Sequence, residues 1–324
     1  MNSFEKISAL VNSAIQQTKW QKEPGGLYDP IAYTMGQGGK RIRPALTLMA
    51  CNLFSENIEL ALKPAIGIEV FHNFTLLHDD IMDKATIRRG KPTVHVKWDE
   101  NTAILSGDVM QIIAYEQLLE TPSQHLKKVL DLFTKTAAEI CEGQQYDMEF
   151  EQRDDVLPEE YLEMIRLKTA VLLGCSLKTG AIIGGASEED AQHLYDFGIN
   201  IGLAFQLKDD LLDVYGNTEI FGKQVGGDIL CNKKTYLLIH AQKAAQEDIK
   251  TKLHYWLNEP TPDPGKKIRE VTGIYNRLGV RKICEDAMSS YYEKAIAFLE
   301  KVSVPTNKKQ ELRKLAEKLM FRND

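Results

Sequence analysis

The sequence contains few cysteines, and none is placed for a disulfide framework or a zinc site. Five occur in 324 residues, and no two form a Cys-x-x-Cys pair. Disulfide-rich secreted domains and structural zinc sites usually need closely spaced cysteines. The thiols are therefore expected to be reduced, which favours a cytoplasmic location. They are Cys51, Cys141, Cys175, Cys231 and Cys284.

The sequence also lacks an excess of basic residues and a long uninterrupted apolar run. Its 40 Lys and Arg residues against 46 Asp and Glu give a net charge of −6, which argues against general nucleic-acid binding. Near the N-terminus, Glu5 and Lys6 interrupt any apolar core, so no signal peptide is expected. The most apolar stretch, residues 170–186, contains Lys178 and several glycines. We therefore expect no transmembrane segment.

Strict alternation of apolar and polar residues, the pattern of a half-buried strand, is missing as well. Helical periodicity dominates instead, and the loops marked by Gly and Pro are too short to be domain linkers. We predict an all-α fold in which residues 1–324 form one domain, a bundle of ten or more helices around one core. The helical segments are 7–15, 45–53, 64–83, 102–119, 126–150, 159–179, 191–215, 236–257, 266–278, 281–301 and 308–321. The predicted loops are 23–44, 86–94, 216–234 and 259–266.

Two aspartate-rich motifs, both reading Asp-Asp-x-x-Asp, lie within apolar sequence at residues 79–83 and 209–213. On a helix the first and last aspartates share a face. A single such motif is more often a solvated surface, but acidic residues in an apolar setting need a cation or hydrogen bonds to compensate their burial. Mg²⁺ prefers oxygen ligands and often bridges carboxylates to substrate phosphates. The two motifs together therefore predict one metal-clamped polyphosphate between two helices.

Basic residues surround the two motifs along an otherwise acidic chain. Taken singly each is more often a surface charge, but Lys and Arg beside glycines are suited to anion binding. His72 precedes Asp79 by two helical turns and lies on the same face. A lone histidine there is usually a core residue, but this alignment favours a polar pocket. The basic residues are Lys40, Arg41, Arg43, Arg88, Arg89, Lys223, Lys233 and Lys234, and Lys168-Thr169 lies in a helix.

Over nearly its whole length the chain resembles the trans-isoprenyl diphosphate synthases of the polyprenyl synthetase family. The resemblance rests on an ordered set of motifs that is very specific. They are Gly-Gly-Lys-Arg-Ile-Arg-Pro (38–44), Glu69-x-x-His72, the first aspartate motif with His78, Arg88-Arg89-Gly90, Lys168-Thr169, Phe205-Gln206 with the second aspartate motif, and Gly222-Lys223. The resemblance implies the isoprenoid synthase type I fold, an all-α bundle around a deep cavity, and a homodimer.

The resemblance also implies roles for individual residues. Mg²⁺ would be bound by Asp79, Asp80, Asp83 and Asp209, with support from Asp210 and Asp213. The allylic prenyl diphosphate would be held by Arg88, Lys168, Thr169, Gln206, Lys223 and Lys233. Isopentenyl diphosphate would be held by Lys40, Arg43, His72 and Arg89. The catalytic residues implied are Asp79, Asp80, Asp83, Asp209 and Lys168. One departure concerns Gly226-Gly227-Asp228, where many relatives have a basic residue in the middle, and this leaves more of the loop's charge to Lys223 and Lys233.

The implied reaction is the head-to-tail (1′-4) condensation of isopentenyl diphosphate with an allylic diphosphate. Charge on the leaving diphosphate would be stabilised as the allylic C–O bond ionises, and closure of residues 216–234 would exclude water. Two alternatives stay open. A class I terpene cyclase normally lacks the second motif and the 38–44 set, and a non-catalytic regulatory subunit would be expected to have lost motif residues.

Product length is expected to depend on the residue five positions before the first motif, because that position commonly floors the tunnel in this family. Here it is Phe74, with Thr75 and Phe71 as neighbours. Helix geometry supports this in part, because Phe74 lies about 7.5 Å down the helix from Asp79 but about 140° around it. An all-trans C20 product is favoured over C15. Alternatively, Phe74 is an ordinary core residue.

Overall fold

The structure, a computed structural model, describes residues 2–216 and 225–321. More than ten α-helices account for most of these residues, as predicted. In chain order they are α1 (Phe4–Gln17), α2 (Gly25–Met35), α3 (Ile42–Phe54), a 3₁₀ turn (Ile58–Ala61), α4 (Leu62–Met82), α5 (Val94–Lys97), α6 (Glu100–Leu119), α7 (Ser123–Glu151), α8 (Pro158–Ile165), a π-helical turn (Arg166–Ala170), α9 (Val171–Gly184) and α10 (Glu188–Tyr215). They continue as α11 (Gly227–Leu230), α12 (Tyr236–Ala244), α13 (Glu247–Asn258), α14 (Pro264–Leu278), α15 (Val280–Lys301) and α16 (Thr306–Phe321).

The chain divides into two compact units. The first comprises Met1–Thr134, Cys175–Tyr195 and Lys301–Leu312, and the second comprises Lys135–Gly174, Asp196–Glu300 and Arg313–Asp324. The first aspartate motif belongs to the first unit and the second motif to the second. That the whole chain acts as one domain stays a prediction.

In the first unit α4 and α6 pack closely against each other. His78 on α4 lies over Gly107 of α6, where an added Cβ would come within 2.3 Å of the imidazole Nε2. The same Nε2 lies 3.2 Å from the Ile104 carbonyl oxygen. Only a glycine leaves room for this contact, which fixes the end of α4 that carries the first motif.

The second unit has its own apolar core. It is built from α8, α10, α12, α13 and α14, with Leu207, Leu237 and Val271 among its most deeply buried side chains. Helix α14 begins at an Asp263 side chain that accepts a hydrogen bond from the Lys266 N–H, and it ends at Gly279, whose φ is 68°. Such a cap and a left-handed glycine are common signals for the two ends of a helix.

The predicted loop at residues 23–44 is wrong in part, because α2 occupies Gly25–Met35. Pro24, two glycines and Pro30 read as loop residues, yet Pro24 stands at the N-cap, and Ile31 and Met35 bury an apolar face. The predicted helix 236–257 is interrupted at Ala245 and Gln246. Residues 87–88 and 91–92 form a two-residue antiparallel pair, β1 (Ile87–Arg88) and β2 (Lys91–Pro92), within the predicted loop 86–94.

One helical stretch in the described residues, Pro158–Gly184, is long and apolar enough to cross a membrane by length and composition. This stretch of 27 residues begins before the apolar stretch 170–186 and includes most of it, and the absence of a transmembrane segment stays a prediction. However, 78% of its most apolar window is buried inside the structure. A core helix passes the same test, so this finding is weak evidence for a membrane span.

Candidate active site

The first aspartate motif lies at the C-terminal end of α4. The Asp83 N–H bonds to the Asp79 carbonyl at 2.9 Å, which keeps the helical turn closed up to the cap. The Asp79 side chain is 18% exposed, and Asp83 is exposed at the helix end. These two carboxylates therefore share the accessible end of the helix, as the i, i+4 spacing predicts.

Arg88 lies beside this motif. The β1–β2 turn, with Gly90 at φ 73°, folds the chain back so that Arg88 Nε donates to Asp80 Oδ1 at 2.7 Å. Arg88 Nη2 also lies 3.5 Å from Asp79 Oδ2. Burial raises the pKa of Asp80, while the Arg88 guanidinium opposes the rise. The site thus has a guanidinium next to the predicted metal-binding carboxylates.

Arg89 contacts a different group from Arg88. Its Nη1 donates to the Gly38 carbonyl at 2.5 Å and lies 3.4 Å from Asn73 Oδ1. The guanidinium also lies against Gly39, where an added Cβ would come within 3.2 Å of it. The two adjacent arginines therefore contact different parts of the chain. Arg88 contacts the first motif, and Arg89 contacts the glycine-bearing segment before α3.

Arg43 and His72 form a partly buried pair near that segment. Arg43 Nη1 donates to His72 Nε2 at 3.1 Å. Burial and the neighbouring Arg43 hold the pKa of His72 well below its usual range. Burial also lowers the pKa of Arg43 to about 10, although Glu69 partly offsets it. Because Nε2 accepts, the neutral imidazole carries its proton on Nδ1. Lys40, three residues before Arg43, is exposed.

A hydrogen-bond network that the motifs did not predict supports this pair. Arg41 has a left-handed backbone with φ 47°, and its Nη1 donates to Glu69 Oε1 at 2.6 Å. Arg41 Nη2 donates to the Met35 carbonyl at 2.7 Å, and Asn73 Nδ2 reaches Glu69 Oε1 at 3.1 Å. Glu69, His72 and Asn73 share one face of α4, and this i, i+3, i+4 spacing of polar residues in an apolar helix was the available signal.

The second motif lies on α10. Asp209 and Asp213 are partly exposed, and Asp213 Oδ2 accepts the Asp228 N–H at 3.0 Å. This bond places the Gly226-Gly227-Asp228 departure directly beside the motif. Asp209 and Asp213 differ by about 40° around the helix axis and so share a face.

Asp210, by contrast, is only 3% exposed. Its Oδ2 accepts the Tyr161 hydroxyl at 2.6 Å and the Tyr236 N–H at 3.3 Å. Burial raises the pKa of Asp210 to about 7, although the hydrogen bond from Tyr161 opposes the rise. Both donors hold the carboxyl in the core of its unit, and a supporting role of Asp210 at Mg²⁺ stays a prediction.

Lys168 and Thr169 lie in the π-helical turn, a feature that is frequent at functional sites. Gly143 of α7 lets this turn approach, because an added Cβ would come within 2.3 Å of the Lys168 backbone nitrogen. Thr169 Oγ1 lies 3.5 Å from Gln206 Oε1, so two residues assigned to the allylic substrate are neighbours.

Asp147, which no motif indicated, brings two of the predicted lysines together. Lys168 Nζ donates to Asp147 Oδ2 at 2.6 Å, and Lys233 Nζ lies 4.0 Å from the same oxygen. Burial alone would raise the pKa of Asp147, but Lys233 and Lys168 outweigh it and hold the pKa below its usual range. Lys223, the other lysine assigned to the allylic substrate in this segment, lies outside the described residues.

Phe74 is 8% exposed and belongs to a row of aromatic rings below the first motif. Its ring centroid lies 4.8 Å from that of His78 and 5.4 Å from that of Phe71. The row continues from Phe71 to Phe133 at 4.9 Å. Thr75 turns its hydroxyl back to the His72 carbonyl at 2.8 Å. The bulk at this level of α4 therefore comes from the aromatic side chains.

The donor set fits Mg²⁺ better than a metal that needs a closed protein cage. Among the described residues, no three His, Cys, Asp or Glu side chains converge into a ready-made metal site. Mg²⁺ commonly takes one or two carboxylates and completes its shell with water and substrate phosphates. Accessible carboxylates at Asp79 and Asp83, and at Asp209 and Asp213, meet that requirement.

Comparisons with known proteins agree with this chemistry. The Polyprenyl synthetase family model matches residues 25–275. A geranylgeranyl diphosphate synthase of Methanosarcina mazei is 43% identical over 252 residues, which cover 77% of this chain and 78% of that protein. A (2E,6E)-farnesyl diphosphate synthase of Mycobacterium bovis is 34% identical over 291 residues, 88% of this chain and 80% of that protein. A crystal structure of a geranylgeranyl pyrophosphate synthase, 45% identical, superposes with a TM-score of 0.94 and covers 100% of both chains.

Proposed function

Because the chain belongs to the polyprenyl synthetase family, we propose that it is a Mg²⁺-dependent prenyltransferase of isoprenoid biosynthesis. It joins isopentenyl diphosphate head-to-tail (1′-4) to an allylic prenyl diphosphate. The observation that carries the proposal is the pairing of carboxylates with cations in each of the two units. Arg88 lies on the first motif, and the unit with the second motif holds Lys168 and Lys233 around Asp147.

The residues divide the work of the reaction. Arg88, Lys168 and Lys233 bind the allylic diphosphate and stabilise the negative charge that develops as it leaves. When bound, Mg²⁺ adds Lewis-acid stabilisation of that charge. Arg43, Arg89 and Lys40 hold the second diphosphate, and the neutral His72 can donate a hydrogen bond from Nδ1. The double bond of isopentenyl diphosphate then attacks the allylic carbon, and the proton released goes to the departed diphosphate.

The product is an all-trans C20 prenyl diphosphate, with C15 as the runner-up. The aromatic row at Phe71, Phe74 and His78 supports a tunnel of limited depth. The position below the first motif carries the bulky ring of Phe74, and a small side chain there would leave room for a longer product. Each buried CH₂ is worth about 0.8 kcal/mol, so depth strongly sorts products by length. The relative of Methanosarcina mazei is named for a geranylgeranyl product.

An assay with isopentenyl diphosphate, an allylic diphosphate and Mg²⁺ separates this proposal from its rivals. A prenyltransferase releases a longer product that keeps its diphosphate. A class I terpene cyclase would instead give a hydrocarbon or alcohol from the allylic substrate alone. A regulatory subunit would turn over neither substrate, and that result would reject the proposal.

The two arginines give a prediction about substrate preference. Arg88→Ala should raise the KM for the allylic diphosphate about tenfold, and Arg89→Ala should do the same for isopentenyl diphosphate, since each loses a charge-assisted hydrogen bond. The reason is that Arg88 contacts the first motif, whereas Arg89 contacts Gly38 and Asn73. Steady-state kinetics with one substrate saturating measure each effect separately. A rise in the same KM for both variants would reject the division.

We also propose that the enzyme is a homodimer formed through α6. Its exposed side chains Leu105, Ile112 and Leu119 follow each other at intervals of seven residues and are 58%, 59% and 54% exposed. A heptad of apolar residues is the pattern by which helices pack on a second copy of themselves. This surface supports a cyclic dimer better than a mixed complex, because a single stripe can be self-complementary.

The dimer is tested by placing a charge in that stripe. Ile112→Glu should convert a particle of twice the 36.6 kDa chain mass into one of the single mass, because a buried unpaired carboxylate opposes association. Leu60→Glu is the matched control, since Leu60 is 44% exposed outside the stripe. Sedimentation velocity gives the masses. An Ile112→Glu protein that sediments like the native one would place the interface elsewhere.

We also propose that the protein is cytoplasmic. All five cysteines are free thiols in the structure, which is usual in a reducing compartment. The net charge of −6 supports small-molecule substrates over nucleic acid.

A further inference from the structure

Asp210 is a motif residue that the proposed mechanism does not use. It is 3% exposed, and Tyr161, its main partner, is 2% exposed. A single oxygen, Oδ2, receives the Tyr161 hydroxyl from α8 at 2.6 Å and the Tyr236 N–H from the start of α12 at 3.3 Å. One carboxylate oxygen therefore ties α8 and α12 to α10, at the level of the second aspartate motif.

Helix geometry connects this tie to the metal-binding face. Asp210 points about 100° away from Asp209 and about 60° away from Asp213 around the axis of α10. If Asp210 is fixed in the core, the rotation of α10 about its axis is fixed as well. The directions in which Asp209 and Asp213 project then follow.

We propose that Tyr161 is a positioning residue for the second aspartate motif, acting through the buried carboxyl of Asp210. The inference rests on the proposed function, because it assumes that Asp209 and Asp213 bind Mg²⁺. Tyr161 touches neither substrate nor metal in this scheme. Its hydroxyl holds the helix that presents the ligands.

The same contact also links the motif to the allylic-diphosphate lysine. Tyr161 precedes Lys168 by two turns on the helical stretch that runs into the π-helical turn. A second tie between these segments joins Thr169 to Gln206, and an added Cβ on Gly202 would come within 2.6 Å of Ala170. Helix α8 with its π-helical turn is thus held to α10 at both places, and Tyr161 supplies the deeper of the two anchors.

A purely structural role for the pair makes a different prediction. Loss of the hydroxyl would leave a buried carboxylate short of one donor, which lowers the stability of the fold. A structural residue would lower the melting temperature and leave the Mg²⁺ dependence of the surviving enzyme unchanged. A positioning residue also changes how much Mg²⁺ the second motif needs.

The test measures initial rates of condensation against Mg²⁺ concentration in Tyr161→Phe, with circular dichroism to verify folding. We expect the half-saturating Mg²⁺ concentration to rise about tenfold and kcat to fall, from the loss of one strong hydrogen bond. The KM for isopentenyl diphosphate should stay within about twofold, because its proposed ligands belong to the other unit. Tyr291→Phe is the matched control, since Tyr291 is partly buried against the apolar core of the same unit but is not a hydrogen-bond partner of Asp210.

Asp210→Asn provides a second variant. Its amide oxygen still accepts both donors, so the Mg²⁺ requirement should rise less than in Tyr161→Phe. A larger rise would identify Asp210 as a metal ligand and overturn the inference. An unchanged Mg²⁺ requirement in folded Tyr161→Phe, in an active wild-type background, would overturn it and leave the proposed function standing. If Tyr161→Phe does not fold, Asp210→Asn decides alone, and a rise of about tenfold or more rejects the positioning role.

Discussion

Replacing Asp79 with alanine should lower turnover by at least about 10²–10³-fold at saturating Mg²⁺, the range for losing one preorganised electrostatic stabiliser. Asp79 heads the first motif, its carboxylate is accessible, and Arg88 lies 3.5 Å from it. Asp209→Ala, at the head of the second motif, should have an effect of the same size. Steady-state turnover over a range of Mg²⁺ concentrations measures both.

Asp131→Ala is the control for this prediction. Asp131 is an exposed helix carboxylate paired with Lys127 four residues earlier, and such surface pairs are worth about 0–1 kcal/mol. Its removal should leave turnover within about twofold of the native value. Near-normal turnover in Asp79→Ala would mean that the first motif does not hold the metal.

Replacing Phe74 with alanine should lengthen the product by one or more isoprene units while condensation continues. The side chain lies between the rings of Phe71 and His78, so its removal opens space below the first motif. Each additional isoprene unit then finds apolar contact worth several times about 0.8 kcal/mol. Chromatography of the dephosphorylated products gives the length distribution.

A cavity in the core could change the product by destabilising the enzyme in general, so the control must create a similar cavity elsewhere. Phe197→Ala does so, because Phe197 is 2% exposed in the other unit. Both variants should lose about 3–5 kcal/mol of stability, but only Phe74→Ala should change the product. An active Phe74→Ala enzyme that still makes the native product would show that Phe74 is an ordinary core residue.

Much of the helical architecture could be predicted from apolar periodicity, because long amphipathic helices carry a strong signal. Helix α2 was not predicted, because Pro24 and the glycines after it have loop propensities. The burial of Ile31 and Met35, which favours the helix, is a tertiary effect. The break between two helices at Ala245 and Gln246 was not predicted either, because the sequence there is typical of a continuous helix. Apolar spacing continues across it, and no Gly or Pro marks the change of direction.

The candidate site could likewise be predicted only in part. Accessible aspartates and the arginines at 88 and 89 could be named from motifs, since their spacing alone puts them on one face or in one loop. The partners of these residues could not be named, because Asp147 and Tyr161 are far in sequence from the lysines and the carboxyl they contact. The motif alone also could not show that its middle aspartate, Asp210, lies in the core, because that depends on the rotation of α10 about its axis.

The most direct test of the account is the product of the unmodified enzyme. The chain is incubated with labelled isopentenyl diphosphate and an allylic primer, with and without Mg²⁺, and the products are separated by length. The account predicts a Mg²⁺-dependent, all-trans prenyl diphosphate that accumulates at C20. Products that lack a diphosphate, or no incorporation of isopentenyl units under any of these conditions, would contradict it.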